Sequence, residues 1–194
     1  EYPEVMDFFI TEDPDILMLA EYTEKHYLHF AEYLDSNYPY KSLYFDEIYS
    51  TPYTGKAIYS KYPLTENYSQ KSEHSGLFVT QTAVVDGKEI DLVMVHTTAP
   101  VNSEYFSSRN RQLSYLQNTL IDDISEAGVI TGDFNISPWS PRFLKMNREF
   151  EKQNLKKVSN NKFAFSWEYR PAGFFKSQID HSFVSDDLHV SAYE

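Results

Sequence analysis

The chain has 194 residues, 41% hydrophobic and 16% aromatic, with a formal charge of −12 from 17 basic and 29 acidic side chains. That composition suits a folded globule, and the acid excess argues against a protein that grips nucleic acid non-specifically, which needs a Lys/Arg stripe to neutralise phosphates. The lack of cysteine removes disulfides, thiolate nucleophiles and Cys-type zinc sites, and the longest apolar runs, about six residues, fall far short of the roughly 18 needed to cross a bilayer.

Residues 3 to 12 read as an amphipathic helix with Val5, Met6, Phe8 and Phe9 as its apolar stripe. Asp13-Pro14-Asp15 stops it, because the residue before proline avoids the helical region. Residues 15–20 (DILMLA) are apolar at consecutive positions, the pattern of a strand covered on both faces, and the run ends in Glu21. A helix is predicted from 23 to about 36, then two strands within 41–60, with Gly55 near the turn. Residues 76–85 and 89–96 form a predicted hairpin joined at Asp86-Gly87, and the second strand finishes at His96. A helical pattern runs over 103–125, and 128–131 is a strand delivering Gly132-Asp133-Phe134-Asn135. Ser140-Pro141 has the form of a helix start; residues 178–184 and 188–192 close the chain as two strands. Strands and helices mix without repeat or linker. The expectation is one domain over 1–194 with two packed, largely antiparallel sheets.

Glu21, His96 and Asp133 each stand at a strand end, where a carboxylate is costly unless hydrated, paired or bound to a cation. The plain alternative for each is a loop carboxylate or a hydrogen-bonded histidine. In Gly132-Asp133-Phe134-Asn135 the acid and the amide, two apart, project the same way from an extended segment. One suits polarising a water, the other donating to a phosphate oxygen; the alternative is an Asx-turn that caps the strand. In Ile179-Asp180-His181, parity groups Asp180 with Ser182, and His181 with Ile179 and Phe183. Asp180 is the better site candidate, and His181 an interior histidine that supports the site.

The order of these motifs resembles the endonuclease/exonuclease/phosphatase (DNase I-like) superfamily. Residues 15–21 (DILMLAE) resemble its "PD-hydrophobic-LQE" strand, with Ala20 where glutamine is usual. Residues 55–64 (GKAIYSKYPL) resemble "G-x-A-I-x-S-R-x-P-L", 95–100 (VHTTAP) its histidine motif, 132–135 its GDFN, and 178–185 (QIDHSFVS) its "IDH-x-x-x-S" strand. Ser137-Pro138-Trp139-Ser140 and Arg109-Asn110-Arg111-Gln112-Leu113 are similar to a bacterial branch that often carries amino-terminal membrane helices.

The resemblance implies a four-layer α/β sandwich of two packed mixed sheets and a metal-dependent phosphoester hydrolase. It makes Glu21 the Mg2+ ligand, Mn2+ being the alternative ion. Asp133 orients or deprotonates the attacking water, Asn135 and His96 hold phosphoryl oxygens, and Asp180 orients a catalytic histidine. Arg109 and Arg111 are candidates for a bidentate phosphate contact, although solvated helix charges are the preferred reading of both. The family's first strand, with a supporting asparagine, and its final Ser-Asp-His strand are not matched; Ser72-Glu73-His74-Ser75 lies in the wrong place to replace the latter. The expectation is that this stretch alone is inactive or weakly folded.

The leading functional expectation is a phosphodiesterase or phosphatase acting on a small or lipid-linked phosphoester. A nuclease and a binding module that kept the fold without the chemistry are the alternatives. Membrane association through segments outside this chain is expected, with an extracytoplasmic domain and the cytoplasm as the other option. Specificity is expected from loops such as 38–53 and 160–175.

Overall fold

The computed structural model describes residues 2–45, 55–65, 78–159, 165–168 and 176–192. Ser72-Glu73-His74-Ser75, and much of the two loops expected to set specificity, lie outside the described residues. The chain falls into two compact units, the first of residues 1–67 and 81–88, the second of 68–80 and 89–194. Among the described residues no helix is long and apolar enough to cross a membrane.

The first unit begins with α1 (Tyr2–Glu12) and β1 (Ile16–Ala20), followed by α2 (Glu24–Asn37), β2 (Tyr40–Tyr44), β3 (Lys56–Ser60) and β4 (Leu64–Thr65). Helix α2 starts where Thr23 caps it: the Thr23 Oγ1 accepts from the His26 N–H, and His26 Nδ1 accepts from the Thr23 N–H in return. This reciprocal arrangement satisfies two donors that the first turn would otherwise leave without partners. The inward stripe of α1 is narrower than expected. Phe9 is buried and Tyr2 and Met6 pack on the same core, whereas Val5 and Phe8 face outward. Residues 2, 6 and 9 share one helical face, and 5 and 8 lie roughly 100° away from it.

Three antiparallel strands in the order β1-β3-β2 make the sheet of this unit. The strand covered on both faces is β3, every residue of which is buried, and not β1, which is only partly buried. A neighbour on each side satisfies the ladder of β3, while β1 is paired on one side only among the described residues and tolerates exposure at Ala20. The core gathers Phe9, Leu17, Tyr22, Phe30, Leu34, Tyr38, Ala57 and Tyr59. Each fully buried large side chain contributes roughly 1.5–3 kcal/mol. The buried phenols find partners, Tyr22 with Tyr59 at 3.1 Å and Tyr38 with the Pro14 carbonyl at 2.9 Å. Burial, together with Tyr22, pushes the Tyr59 phenol far above its usual pKa, so it stays a neutral core group. In β5 (Phe78–Val85), Ala83 and Thr82 pair with Leu64 and Thr65 of β4. The reversal that follows uses Asp86 and Gly87, both at positive φ, as the two-residue turn predicted there requires.

The second unit holds most of β6 (Lys88–His96), then α3 (Ser103–Asn118), a 3-10 turn (Leu120–Asp123), β7 (Gly128–Asp133), α4 (Pro141–Lys152), β8 (Leu155–Lys157), β9 (Trp167–Glu168), β10 (Lys176–Ser177) and β11 (Asp180–Ser185). Its strands run β6-β7-β11-β8, parallel between β6 and β7 and antiparallel elsewhere. One face carries Val93, Val95, Ile130 and Phe183, which join Leu113 and Leu116 of α3 and Phe143, Met146 and Phe150 of α4 in a single apolar cluster. Residues 188–192, expected as a strand, are not one. They are mostly exposed and follow a turn in which the Leu188 N–H donates to the Ser185 carbonyl; without a strand to pair with, alternation alone does not hold an extended segment.

Candidate active site

The register of the second unit brings three of the expected residues into one row. His96 ends β6 directly beside Asp133, which ends β7, and Asp180 opens β11 directly opposite Asp133. Paired residues on neighbouring strands point to the same face, so His96, Asp133 and Asp180 project together from one rim of the sheet. That face is set by parity. Thr131 and Ser182, two residues back along β7 and β11, share it and exchange a 2.6 Å hydrogen bond. His181 and Phe183 take the opposite, core side, where both are buried.

The backbone then turns sharply. Gly132 has φ 135°, and a Cβ there would sit 2.0 Å from the Val95 carbonyl oxygen, so only glycine lets β7 approach β6 at this level. Asn135 has φ 49°, a left-handed conformation that asparagine adopts more readily than most residues. Its N–H donates to Asp133 Oδ1 at 2.6 Å, and its Nδ2 donates to the Thr97 carbonyl at 2.8 Å. The Asx-turn offered as the plain alternative is therefore present, and it holds the acid and the amide at the end of the row. The Thr97 N–H donates to the Asp133 carbonyl at 2.9 Å, which ties the loop after β6 to the end of β7. With one N–H on Thr97, the Asn135 amide retains a second for another acceptor.

His181 supports this turn from beneath. It is 1% exposed, and its Nε2 lies 2.8 Å from the Ile136 carbonyl, to which it donates as the neutral tautomer. Burial pushes its pKa down to about 4 against the opposing pull of the Ile136 carbonyl, and Lys157 lowers it further. The ring lies 4.3 Å from that of Phe143, centroid to centroid.

Arg109 corrects the expectation of a solvated helix charge: it is buried, with Nη1 donating to the Asn135 carbonyl and Nε donating to Asn110 Oδ1 at 3.1 Å. Burial first, and then the nearby Arg142 charge, lower its pKa from the ordinary guanidinium value. One helical turn on, Gln112 Oε1 accepts from the Thr98 N–H at 2.9 Å and its Nε2 donates to Thr98 Oγ1 at 2.9 Å. Gln112 was missed among the site candidates; its spacing of three from Arg109, on one helical face, was the available signal. Arg111 is exposed and lines a shallow groove on α3 with Asn110, Ser114, Tyr115, Asn118 and Thr119.

Glu21 belongs to the first unit. It follows β1 at φ 54° and is exposed. The next residue, Tyr22, donates its N–H to the Gly55 carbonyl at 2.8 Å. A Cβ on Gly55 would lie 2.0 Å from the Tyr22 carbonyl oxygen, so glycine at the head of the 55–64 motif is what lets the Glu21 turn lie against β3.

No group of three or more His, Asp or Glu side chains is arranged to hold a metal among the described residues. Mg2+ does not require one, because it takes one or two carboxylates and keeps several waters. Within the second unit the donors present are hard oxygens, the Asp133 and Asp180 carboxylates and the Asn135 amide. By donor chemistry they fit that ion.

The family described as Endonuclease/Exonuclease/phosphatase matches residues 4–194. No curated protein matches the chain. Among solved structures, the 3'-5' exonuclease NExo from Neisseria meningitidis is similar with a TM-score of 0.71 at 19% identity, over 96% of this chain and 82% of that one. A mutant of beta toxin from Staphylococcus aureus with bound magnesium ions gives a TM-score of 0.65 at 18% identity, over 91% and 72%. A truncated Caenorhabditis elegans TDP2 gives 0.67 at 17%, over 95% and 75%. The fold is the mixed α/β, DNase I-like class.

Proposed function

Because the chain belongs to the endonuclease/exonuclease/phosphatase family, whose members hydrolyse phosphoesters, we propose that it is a Mg2+-dependent phosphodiesterase or phosphatase acting on a small or lipid-linked phosphoester. The observation that carries this reading is the in-register row of His96, Asp133 and Asp180, with Asn135 folded back on Asp133. A divalent ion, when bound, neutralises charge on the phosphoryl oxygens and acts as a Lewis acid.

The chain's own residues supply the rest. Asp133, its carboxylate oriented by the Asn135 N–H, accepts the proton of the attacking water. The remaining Asn135 amide N–H and the His96 ring meet the phosphoryl oxygens, where charge grows in the transition state. Asp180, beside Asp133 in the row, is the carboxylate that would hold the imidazole of the family's Ser-Asp-His motif in its tautomer, a histidine that none of the matched motifs supplies. Glu21 is the cation ligand that its motif implies. The net charge of −12 favours a small ester over a polyanionic duplex, whose binding rests on basic side chains.

The test is turnover by the purified full-length protein, since this stretch alone is expected to be inactive or weakly active, on bis-p-nitrophenyl phosphate, p-nitrophenyl phosphate, phospholipid vesicles and plasmid DNA, each with Mg2+, Mn2+ or EDTA. Ion-dependent hydrolysis of the esters or lipids, faster than any DNA cleavage, is the expected result. Faster cleavage of DNA moves the protein to the nucleases, as the likeness to NExo suggests. No turnover with either ion, even in the full-length protein, leaves a binding module.

A further inference from the structure

We propose that Arg109 is a positioning residue of this hydrolytic site: it locks the left-handed turn at Asn135 from behind, while Gln112 locks the neighbouring loop at Thr98. The proposal rests on the reading of Asn135 as a phosphoryl-oxygen donor.

Both loops of the site leave regular structure where their donors are needed. The loop after β6 places Thr97 and Thr98 beside His96, and the loop after β7 places Asn135 beside Asp133. Each gives up strand hydrogen bonds there, and α3 replaces them. Arg109 Nη1 takes the Asn135 carbonyl, and Gln112 takes both the N–H and the hydroxyl of Thr98, with Ser108 Oγ as a further acceptor at 3.3 Å. Residues 109 and 112 lie on one face of the helix, and both are almost fully buried, at 5% and 3% exposure. One rigid element thus braces two loops that also hold each other through the Asn135 amide and the Thr97 carbonyl.

Stability alone is a poor reason for Arg109. A buried guanidinium is costly without a counter-charge, and its hydrogen-bonding partners are a carbonyl and an amide oxygen. Its face lies over the Phe106 ring at 4.9 Å, and the charge of Arg142 works against it. What the charge does accomplish is a strong, directional hold on the carbonyl of the one non-glycine residue in this loop with positive φ. A charge-assisted bond of that kind fixes the peptide plane better than a neutral one. Misplacing a catalytic group by about 1 Å costs on the order of a hundredfold in rate, so the hold belongs to the chemistry.

The experiment compares Arg109→Ala, Arg109→Lys, Asn135→Ala and the double variant Arg109→Ala/Asn135→Ala in the purified full-length protein, with bis-p-nitrophenyl phosphate and Mg2+. Arg109→Ala is expected to lower kcat roughly a hundredfold with KM within about threefold, and Arg109→Lys to recover about a tenth of the loss. The double variant is expected to be no worse than the worse single one, because both changes remove the same donor. Multiplying losses, or a kcat for Arg109→Ala within threefold of the parent, overturns the proposal. Amide hydrogen exchange supplies a readout independent of turnover. Arg109→Ala is expected to speed exchange at residues 134–136 at least tenfold and to leave the Thr98 N–H, which Gln112 holds, nearly unchanged, and Gln112→Leu to do the reverse. Unchanged exchange at 134–136 refutes the brace even for a protein that hydrolyses nothing. If exchange rises in a protein without turnover, the brace stands and the proposed hydrolysis fails.

Discussion

Replacing His181 by glutamine converts a buried titratable donor into one that cannot titrate. His181 is 1% exposed and donates to the Ile136 carbonyl, and its pKa is about 4 against an ordinary 6.5. The native state therefore refuses a proton that the unfolded chain accepts, so stability is intact above pH 6.5 and falls as pH drops towards 4. The full difference of 2.5 units amounts to about 3 kcal/mol, of which about 1.4 is lost by pH 5.5 and about 2.5 by pH 4.5. Urea unfolding of parent and His181→Gln at pH 7.5, 6.5, 5.5 and 4.5 isolates this group, since the carboxylates titrate in both. At pH 7.5 the parent should be the more stable by about 1–2 kcal/mol, through the ring packed on Phe143. That advantage should shrink and then reverse as pH falls. A gap constant within about 0.5 kcal/mol from pH 7.5 to 4.5 would refute the reasoning, because it would mean that His181 takes up its proton equally in both states.

Three further outcomes are expected. Asp133→Asn should lower kcat by about 10²–10⁴ while leaving the unfolding midpoint nearly unchanged, since the shape and the acceptor for the Asn135 N–H persist; an unaltered rate would remove Asp133 from the chemistry. Gly55→Ala puts a methyl 2.0 Å from the Tyr22 carbonyl and should cost about 2–3 kcal/mol in thermal unfolding, with turnover falling as the Glu21 turn is displaced. Phe183→Ala empties a fully buried position that touches Phe134, Phe143 and Phe150 and should cost about 3–5 kcal/mol; a loss under 1 kcal/mol would show that the cluster closes over the gap.

The chain's local patterns determined more than its element types. The Asp86-Gly87 reversal, the Thr23 cap and the start of α4 at Pro141 follow from chemistry confined to a few neighbouring residues, although Ser140, expected to cap α4, makes no side-chain cap hydrogen bond and the proline alone marks that start. Parity along 179–183 separated Asp180 from His181, because side chains alternate on any strand whatever its partner. Tertiary structure decided what alternation and helical period leave open. Which strand is covered on both faces depends on what flanks it, and here it was β3 and not β1. Whether 188–192 forms a strand depends on a pairing partner that no local pattern encodes. The depth of Arg109 was equally invisible, since one helical face is core only if a loop returns to cover it, and the loop that returns carries Asn135. Register across β6, β7 and β11 is the decisive case. Motifs more than 30 residues apart supplied His96, Asp133 and Asp180, but only hydrogen bonds between strands brought them into one row.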